Sequence, residues 1–561
     1  MKKIILSISI FLIIFVLGKN ILPFTNHFFD FHDETQPARI SEFVLNLKNL
    51  HIPPRIAPNF SFNMGYPVFS YYAPSSYWLT SFFHLIGFSI IDALKISIIL
   101  ALIISFYSMY KFSSLFFNFY SSIFAGILYS SSPWIAVEIF IRGNLAELWF
   151  IAFLPLVFYF LIKNTKENSK KNFILSVFVL AFILSVHNIL SLILLPIIII
   201  FILLNKNKLK NLKALFFSFL LNSYFFIPAF SQFNFIKSNN LLYYTNYLDH
   251  LLCPWQLWST PFWGYGGSVK GCLEDGMSFM LGKPQIIFGI LGIISFFVFL
   301  KKIKKENLKN FFLILVIFFG SVFMTTNLSF SFSKIFIKFL NFFQFPWRFL
   351  ALSLFSLVFF ANFFSFFISK NKEKIIGLFF VFLSILILFY NSKFFSKYQI
   401  KNEKFNQEFL SSLYIQKRVV YKISEYLPKY VDYQTWLKYE PKKNEKYLID
   451  DSLEKNLPAK TKNKIEIVKN EPFERIFKIT SLKENQIVLN IHYLHYWKIK
   501  VNENEIIPKN FDSLGRPIIK IKTTSTISIK YEQTLIEKIS NIITLSTFFY
   551  LLIFYFKTKK I

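Results

Sequence analysis

The residues best suited to chemistry sit in short polar stretches between long apolar runs. The first reads HDETQPARI from His32 to Ile40 and sets Asp33 between His32 and Glu34. Asp33 can act as a general base towards a hydroxyl acceptor, or hold a divalent cation with Glu34 or His32. An ordinary solvated loop carries the same residues, so this motif decides nothing alone. The second stretch, Glu138 followed by IFIRGNLAELW, places Glu138, Arg142 and Glu147 at the edge of an apolar run. A carboxylate there is costly unless it is paired or faces a cavity. Arg142 can be its structural partner.

Arginine placement is the sharper signal. Of 62 basic residues only seven are arginine: Arg39, Arg55, Arg142, Arg348, Arg418, Arg475 and Arg516. The first four fall on what charge parity makes the outer side of a membrane, where orientation rules disfavour positive charge. A guanidinium grips phosphate through two parallel hydrogen bonds, whereas lysine offers a point charge. Arg39, Arg55, Arg142 and Arg348 therefore suggest recognition of a phosphate or pyrophosphate at the outer leaflet. Ion pairs bracing the loops are the competing explanation.

A third polar stretch runs CPWQLWSTPFWGYGGSVKGCLEDGMSF from Cys253. Cys253 and Cys272, the only cysteines, bracket it, and on an oxidising face they can form a disulfide or remain free thiols. Trp255, Trp258, Trp263 and Tyr265 can stack on sugar faces or anchor in the lipid interface. Asp275 is a further acidic candidate. His187, at a turn between two short apolar runs, can line the same cavity or merely satisfy the turn. No CxxC, HExxH or phosphate-cradling glycine motif is present.

What must position these residues is a bilayer. The chain has 561 residues, 54% hydrophobic and 20% aromatic, more apolar surface than a soluble domain can hide. Spans are expected near 4–22, 91–110, 115–132, 145–162, 173–186, 189–204, 215–230, 286–300, 311–323, 347–368, 375–390 and 539–556, about twelve in all. The net charge of +31 lies in lysine-rich segments between spans, the positive-inside pattern, which argues against nucleic acid as a partner. With Lys2 and Lys3 inside and a retained first helix, the outer loops are 24–90, 133–144 and 231–284, with residues 77–90 as a helix lying in the interface. Residues 1–391 thus form a transmembrane domain, and 539–561 a last helix with a cytoplasmic tail. Residues 392–538 form an extracytoplasmic domain whose second half alternates as strands (Trp497, Ile499, Val501; Ile519, Ile521; Ile527, Ile529, Tyr531), with a turn at Asn502–Glu505. A small β-sandwich follows.

The combination of HDETQPAR, GYPVFSYYAP, RGNLAELWFIAFLP, MSFMLG and FQFPWRFL resembles a bacterial membrane family labelled "6-pyruvoyl-tetrahydropterin synthase-related domain, membrane protein", akin to YfhO-like proteins. The resemblance covers roughly residues 1–400, and HYWKIKVNENE and LGRPIIKI are similar to that family's terminal outer domain. The zinc site of the soluble pterin synthase has no counterpart here. The resemblance implies a GT-C glycosyltransferase architecture in the bacterial cytoplasmic membrane. It implies a polyprenyl-phosphate-sugar donor and a cell-surface glycan or lipid acceptor. On that pattern Asp33 matches the first acidic position, flanked by His32 and Glu34, and Glu138 or Glu147 the second. The motif departs from a strict DxD, which leaves dependence on a divalent cation open. A transporter or flippase of lipid-linked glycan would need ionisable residues at mid-bilayer, and the span interiors are almost free of charge. A non-catalytic scaffold is the remaining alternative.

Overall fold

The computed structural model describes residues 1–25, 28–29, 31–237, 246–260, 262–268, 271–272, 275–369, 373–396, 400–401, 425–439, 449–450, 464–480, 485–521 and 524–556. Every expected span falls on a helix. Helix α1 (Lys2–Leu12) continues as a π-helical turn to Leu17, and α2 (Gln36–Lys48) and α3 (Ser75–Leu85) precede α4 (Ile90–Ser113). Then come α5 (Phe119–Arg142), α6 (Leu145–Lys166), α7 (Lys170–Leu184), α8 (Asn188–Leu204), α9 (Lys208–Leu221) and α10 (Ser223–Ser231). Helices α11 (Lys283–Val298), α12 (Lys305–Thr325), α13 (Pro346–Ile368), α14 (Glu373–Asn391) and α15 (Leu535–Phe556) complete the bundle.

Among the described residues, seven of these helices are long and apolar enough to cross a membrane; α9 with α10, bent by 68°, makes an eighth if it is one span. Helices α8 and α11 are shorter and also apolar. The chain is a multi-pass helical membrane protein. Close approach depends on small residues: a Cβ at Gly292 of α11 would lie 1.9 Å from the Phe360 carbonyl oxygen of α13.

One expectation needs correction. Residues 133–144 are not a loop, because α5 runs on through Arg142. Pro133 occupies the first helical position, where its missing N–H costs nothing, and the Ser132 hydroxyl accepts from the Trp134 N–H at 3.3 Å. The extension ends in a π-helical turn, Glu138–Arg142.

The C-terminal region holds two antiparallel sheets. Its strands are β1 (Ile449–Asp450), β2 (Lys464–Glu471), β3 (Glu474–Thr480), β4 (Asn485–Leu489), β5 (Trp497–Val501), β6 (Asn504–Ile506), β7 (Asn510–Phe511), β8 (Pro517–Ile521) and β9 (Thr524–Tyr531). The orders are β1-β4-β8-β7 and β2-β3-β9-β5-β6. Alternation aims Ile499, Ile527 and Ile529 of one sheet and Ile487, Ile519 and Ile521 of the other into one core, which Ile56 from the first long loop joins. The β5–β6 turn is two residues, Asn502 and Glu503, both at positive φ as that hairpin requires.

Glu42 ties α2 to the following loop by accepting from the Asn59 N–H (3.0 Å) and side-chain amide (2.8 Å). Burial raises its pKa to about 7, against those two hydrogen bonds. The native state then holds a proton that the unfolded chain has released, so Glu42's contribution to stability is complete below pH 4.5 and is lost as pH rises through 7. A shift of that size corresponds to ~3 kcal/mol. Thermal unfolding in detergent is expected to show less loss of stability between these pH values in Glu42→Gln than in wild type. Identical slopes would refute it.

Candidate functional site

Arg142 is the hub. Its Nη1 donates to Glu138 Oε1 and Glu147 Oε2, each at 2.6 Å, and its Nη2 donates to Glu147 Oε1 at 2.7 Å. All three side chains are buried. The π-helical turn brings Glu138 and Arg142 onto one face. Gly143, at φ +63°, then reverses the chain, and a Cβ there would lie 2.0 Å from the Phe31 ring. Asn144 caps α6, accepting from the Glu147 N–H (3.0 Å) and donating to its carboxylate (3.2 Å). The carboxylate also faces the positive end of the helix.

The first polar stretch hangs on that turn through its backbone. The His32 N–H donates to the Ile141 carbonyl and the Asp33 N–H to the Arg142 carbonyl, both at 2.8 Å. His32 Nδ1 lies 3.0 Å from Asp33 Oδ1, and the His32 ring stacks on Tyr265 at 3.3 Å. Asp33 differs from the buried glutamates in keeping 33% of its side chain exposed. Burial works to raise its pKa, but His32, by hydrogen bond and charge, and then Arg142 and Arg39 outweigh it. The net effect lowers the Asp33 pKa from 3.8. The accessible carboxylate is thus ionised.

Two further guanidiniums approach. Arg348, in the first turn of α13, sets Nε 3.6 Å from Glu147 Oε1 and donates from Nη2 to Gln344 Oε1 at 2.7 Å. Arg39 of α2 donates to the Tyr77 hydroxyl at 3.1 Å and lies 4.9 Å over the Tyr72 ring. Among the described residues, Arg348 Nε and Nη1 and Arg39 Nε are buried without a hydrogen-bond acceptor. His187 Nδ1 accepts from the Leu190 N–H (3.2 Å), capping α8, so its proton sits on Nε2, 3.4 Å from Glu147 Oε1. Burial, with help from Arg348 and Arg142, lowers its pKa despite Glu147, which keeps the imidazole neutral.

The structure therefore gathers His32, Asp33, Arg39, Glu138, Arg142, Glu147, His187 and Arg348, with Glu34 buried on the same turn. Arg142 differs from expectation in one respect: its Nη donors are committed to glutamates. Arg55 is not brought here. It pairs with Glu537 (3.7 Å) and Asn541 (3.3 Å) of α15, where His495 also approaches Glu537. Of the two states open to Cys253 and Cys272, the structure has the disulfide. Within its loop Tyr265 reaches the site, Trp263 packs 5.4 Å from Phe394, and Asp275 is buried. Trp255 and Trp258 are exposed, with Lys283 of α11 5.6 Å from the Trp258 ring, a placement suited to headgroup depth. Among the described residues no three His, Cys, Asp or Glu side chains gather as metal ligands. Sequence reasoning missed Tyr77 and Gln344, and also Glu425, whose charge is felt at Arg39, Asp33 and Arg348.

Residues 72–231 match the dolichyl-phosphate-mannose-protein mannosyltransferase family model. The matched segment contains Glu138, Arg142, Glu147 and His187. Among solved structures, the chain is similar to the mycobacterial arabinofuranosyltransferase AftD, with a TM-score of 0.43 and 11% identity over 70% of this chain and 26% of that one. It is also similar to the Archaeoglobus fulgidus oligosaccharyltransferase, with a TM-score of 0.37 and 11% identity over 72% of this chain and 57% of that one. The chain thus spans about a quarter of the length of AftD. No curated protein matches it.

Removing Arg142 strands two buried carboxylates, at a cost of about 3–5 kcal/mol. Arg142→Ala is expected to lower the melting temperature sharply in detergent, and Arg142→Lys to restore little, because an ammonium lacks the two-pronged fit to Glu147. Wild-type stability in either variant would overturn the hub's structural role.

Proposed function

We propose that this chain is a membrane glycosyltransferase of GT-C architecture. It moves a sugar from a polyprenyl-phosphate-linked donor to a cell-envelope glycan or lipid acceptor at the outer face. One observation carries the reading: the accessible Asp33 carboxylate feels the charge of Arg39, Arg348 flanks Glu147 of the adjoining clamp, and both buried guanidiniums keep unfilled donors. The partial match to a family named for a dolichyl-phosphate-linked sugar supports the same donor class. Kinship with the YfhO-like family belongs to this reading, on the motifs quoted above.

In the proposed reaction the acceptor oxygen bonds to the sugar's anomeric carbon as the carbon–oxygen bond to phosphate breaks. Asp33 takes the hydroxyl proton, and Arg39 and Arg348 stabilise the charge growing on the departing phosphate. A divalent cation at Asp33 would need the donor phosphate to complete its ligand set. The disulfide closing the loop that carries Tyr265 onto His32 supports placing this end of the bundle on the oxidising side. Ionisable residues of the candidate spans, such as Asp92, Lys95, Glu147, Lys163, Arg348 and Glu373, sit towards the helix ends, which favours chemistry at one end over transport through the middle.

Asp33→Asn is expected to lower transfer of labelled sugar from polyprenyl phosphate by at least ~100-fold, with undecaprenyl phosphate still bound. Transfer at the wild-type rate would remove Asp33 from the mechanism. Because the Asp33 pKa is lowered from 3.8, the wild-type rate should show no Asp33-dependent limb above that pH. A limb near neutrality that Asp33→Asn abolishes would contradict the assignment.

A further inference from the structure

Glu425 enters the site from the segment leading to the C-terminal sheets. Three contacts dock that segment. The Tyr426 N–H donates to the Tyr66 hydroxyl at 2.8 Å, and the Tyr426 ring stacks on Tyr71 at 5.8 Å. The chain beyond runs antiparallel to residues 235–237, with the Lys237 N–H bonded to the Leu427 carbonyl (2.9 Å) and the Lys429 N–H to the Phe235 carbonyl (3.0 Å). Glu425 is half-buried, so part of it stays open to a ligand. Its carboxylate interacts through space with Arg39, Asp33 and Arg348, with no hydrogen bond to either arginine.

We propose that Glu425 binds the sugar of the donor, its carboxylate accepting hydrogen bonds from sugar hydroxyls. The inference rests on the polyprenyl-phosphate-sugar reading. If Arg39 and Arg348 hold the phosphate, its two ester-linked groups lie beside them, and of these only the sugar carries hydroxyls for a carboxylate to bind. A carboxylate offers acceptor oxygens, and a sugar edge offers hydroxyl donors. A gap between carboxylate and guanidinium is what such a ligand would fill, whereas direct contact would mark a closed structural pair. Burial raises the Glu425 pKa, and Arg39 and Arg348 work against that rise, so an incoming hydroxyl meets an incompletely solvated acceptor.

The test uses the full-length chain in detergent and compares bare undecaprenyl phosphate with undecaprenyl-phosphate-linked mannose, glucose and arabinose. Wild type is expected to bind at least one sugar-loaded lipid about tenfold more tightly than the bare lipid, as hydrogen bonds to a charged acceptor allow. Glu425→Gln should erase that preference while binding the bare lipid as well as or better than wild type. Glu425→Asp should keep part of the preference. A full preference in Glu425→Gln, or no preference in wild type, overturns the assignment. Loss of bare-lipid binding in both variants also overturns it, by showing a purely structural role. Failure of wild type to bind bare undecaprenyl phosphate sinks the donor reading itself, a distinct result.

Discussion

Two buried glutamates cannot both carry charge in a low-dielectric pocket without a cation between them, and Arg142 is that cation. Desolvating each charge costs several kcal/mol, which only good geometry offsets. Here the geometry is a two-pronged grip on Glu147 plus a third bond to Glu138. The clamp fixes the π-helical turn, and the turn's carbonyls in turn hold the N–H groups of His32 and Asp33. The one accessible carboxylate of the group is therefore placed by an ion pair it does not join. Glu147 extends the same constraint to His187 and Arg348, so the ends of α5, α6 and α13 and the start of α8 meet at one residue.

This clamp divides the arginines by task. The Nη donors of Arg142 are spent on glutamates, whereas Arg39 Nε and Arg348 Nε and Nη1 find no acceptor among the described residues. A buried donor left unfilled costs about 1–3 kcal/mol, and a stability-driven site would have supplied acceptors. The sites that tolerate such a cost are those where a ligand brings the acceptors. The tyrosines around Arg39 fit that picture, since Tyr72 and Tyr77 hold the guanidinium by ring face and hydroxyl without neutralising it.

Much of this was legible in the sequence, for identifiable reasons. Apolar run length marks helices because a helix satisfies its own backbone within one segment in lipid, and every expected span lies on one. Arginine in a lysine-dominated chain marked Arg39, Arg142 and Arg348 because guanidinium geometry is chosen where direction matters. Residues 133–144 differ from the expected loop because Pro133, placed after the Ser132 cap, starts a helical extension. Glu425 left no signal: it sits in an unremarkable SEYLP stretch, far along the chain, and reaches the site through backbone pairing with residues 235–237. Arg55 misled for the same reason. Its type fitted a phosphate ligand, but its destination depended on where α15 packs.

That destination has its own logic. Arg55 and Glu537 are both buried, with Asn541 on the same helix and His495 from the C-terminal region beside them. The pair joins the first long loop to the last helix, and Ile56, the next residue, enters the core of the two sheets. The His492 N–H bonds to the Met64 carbonyl and fastens the same two regions again. Tyr66, which holds Tyr426 and so positions Glu425, lies within that loop. The Arg55–Glu537 pair thus bears on the site from outside it. It sets how the C-terminal region meets the membrane domain, as Arg142 sets how the helix ends meet one another.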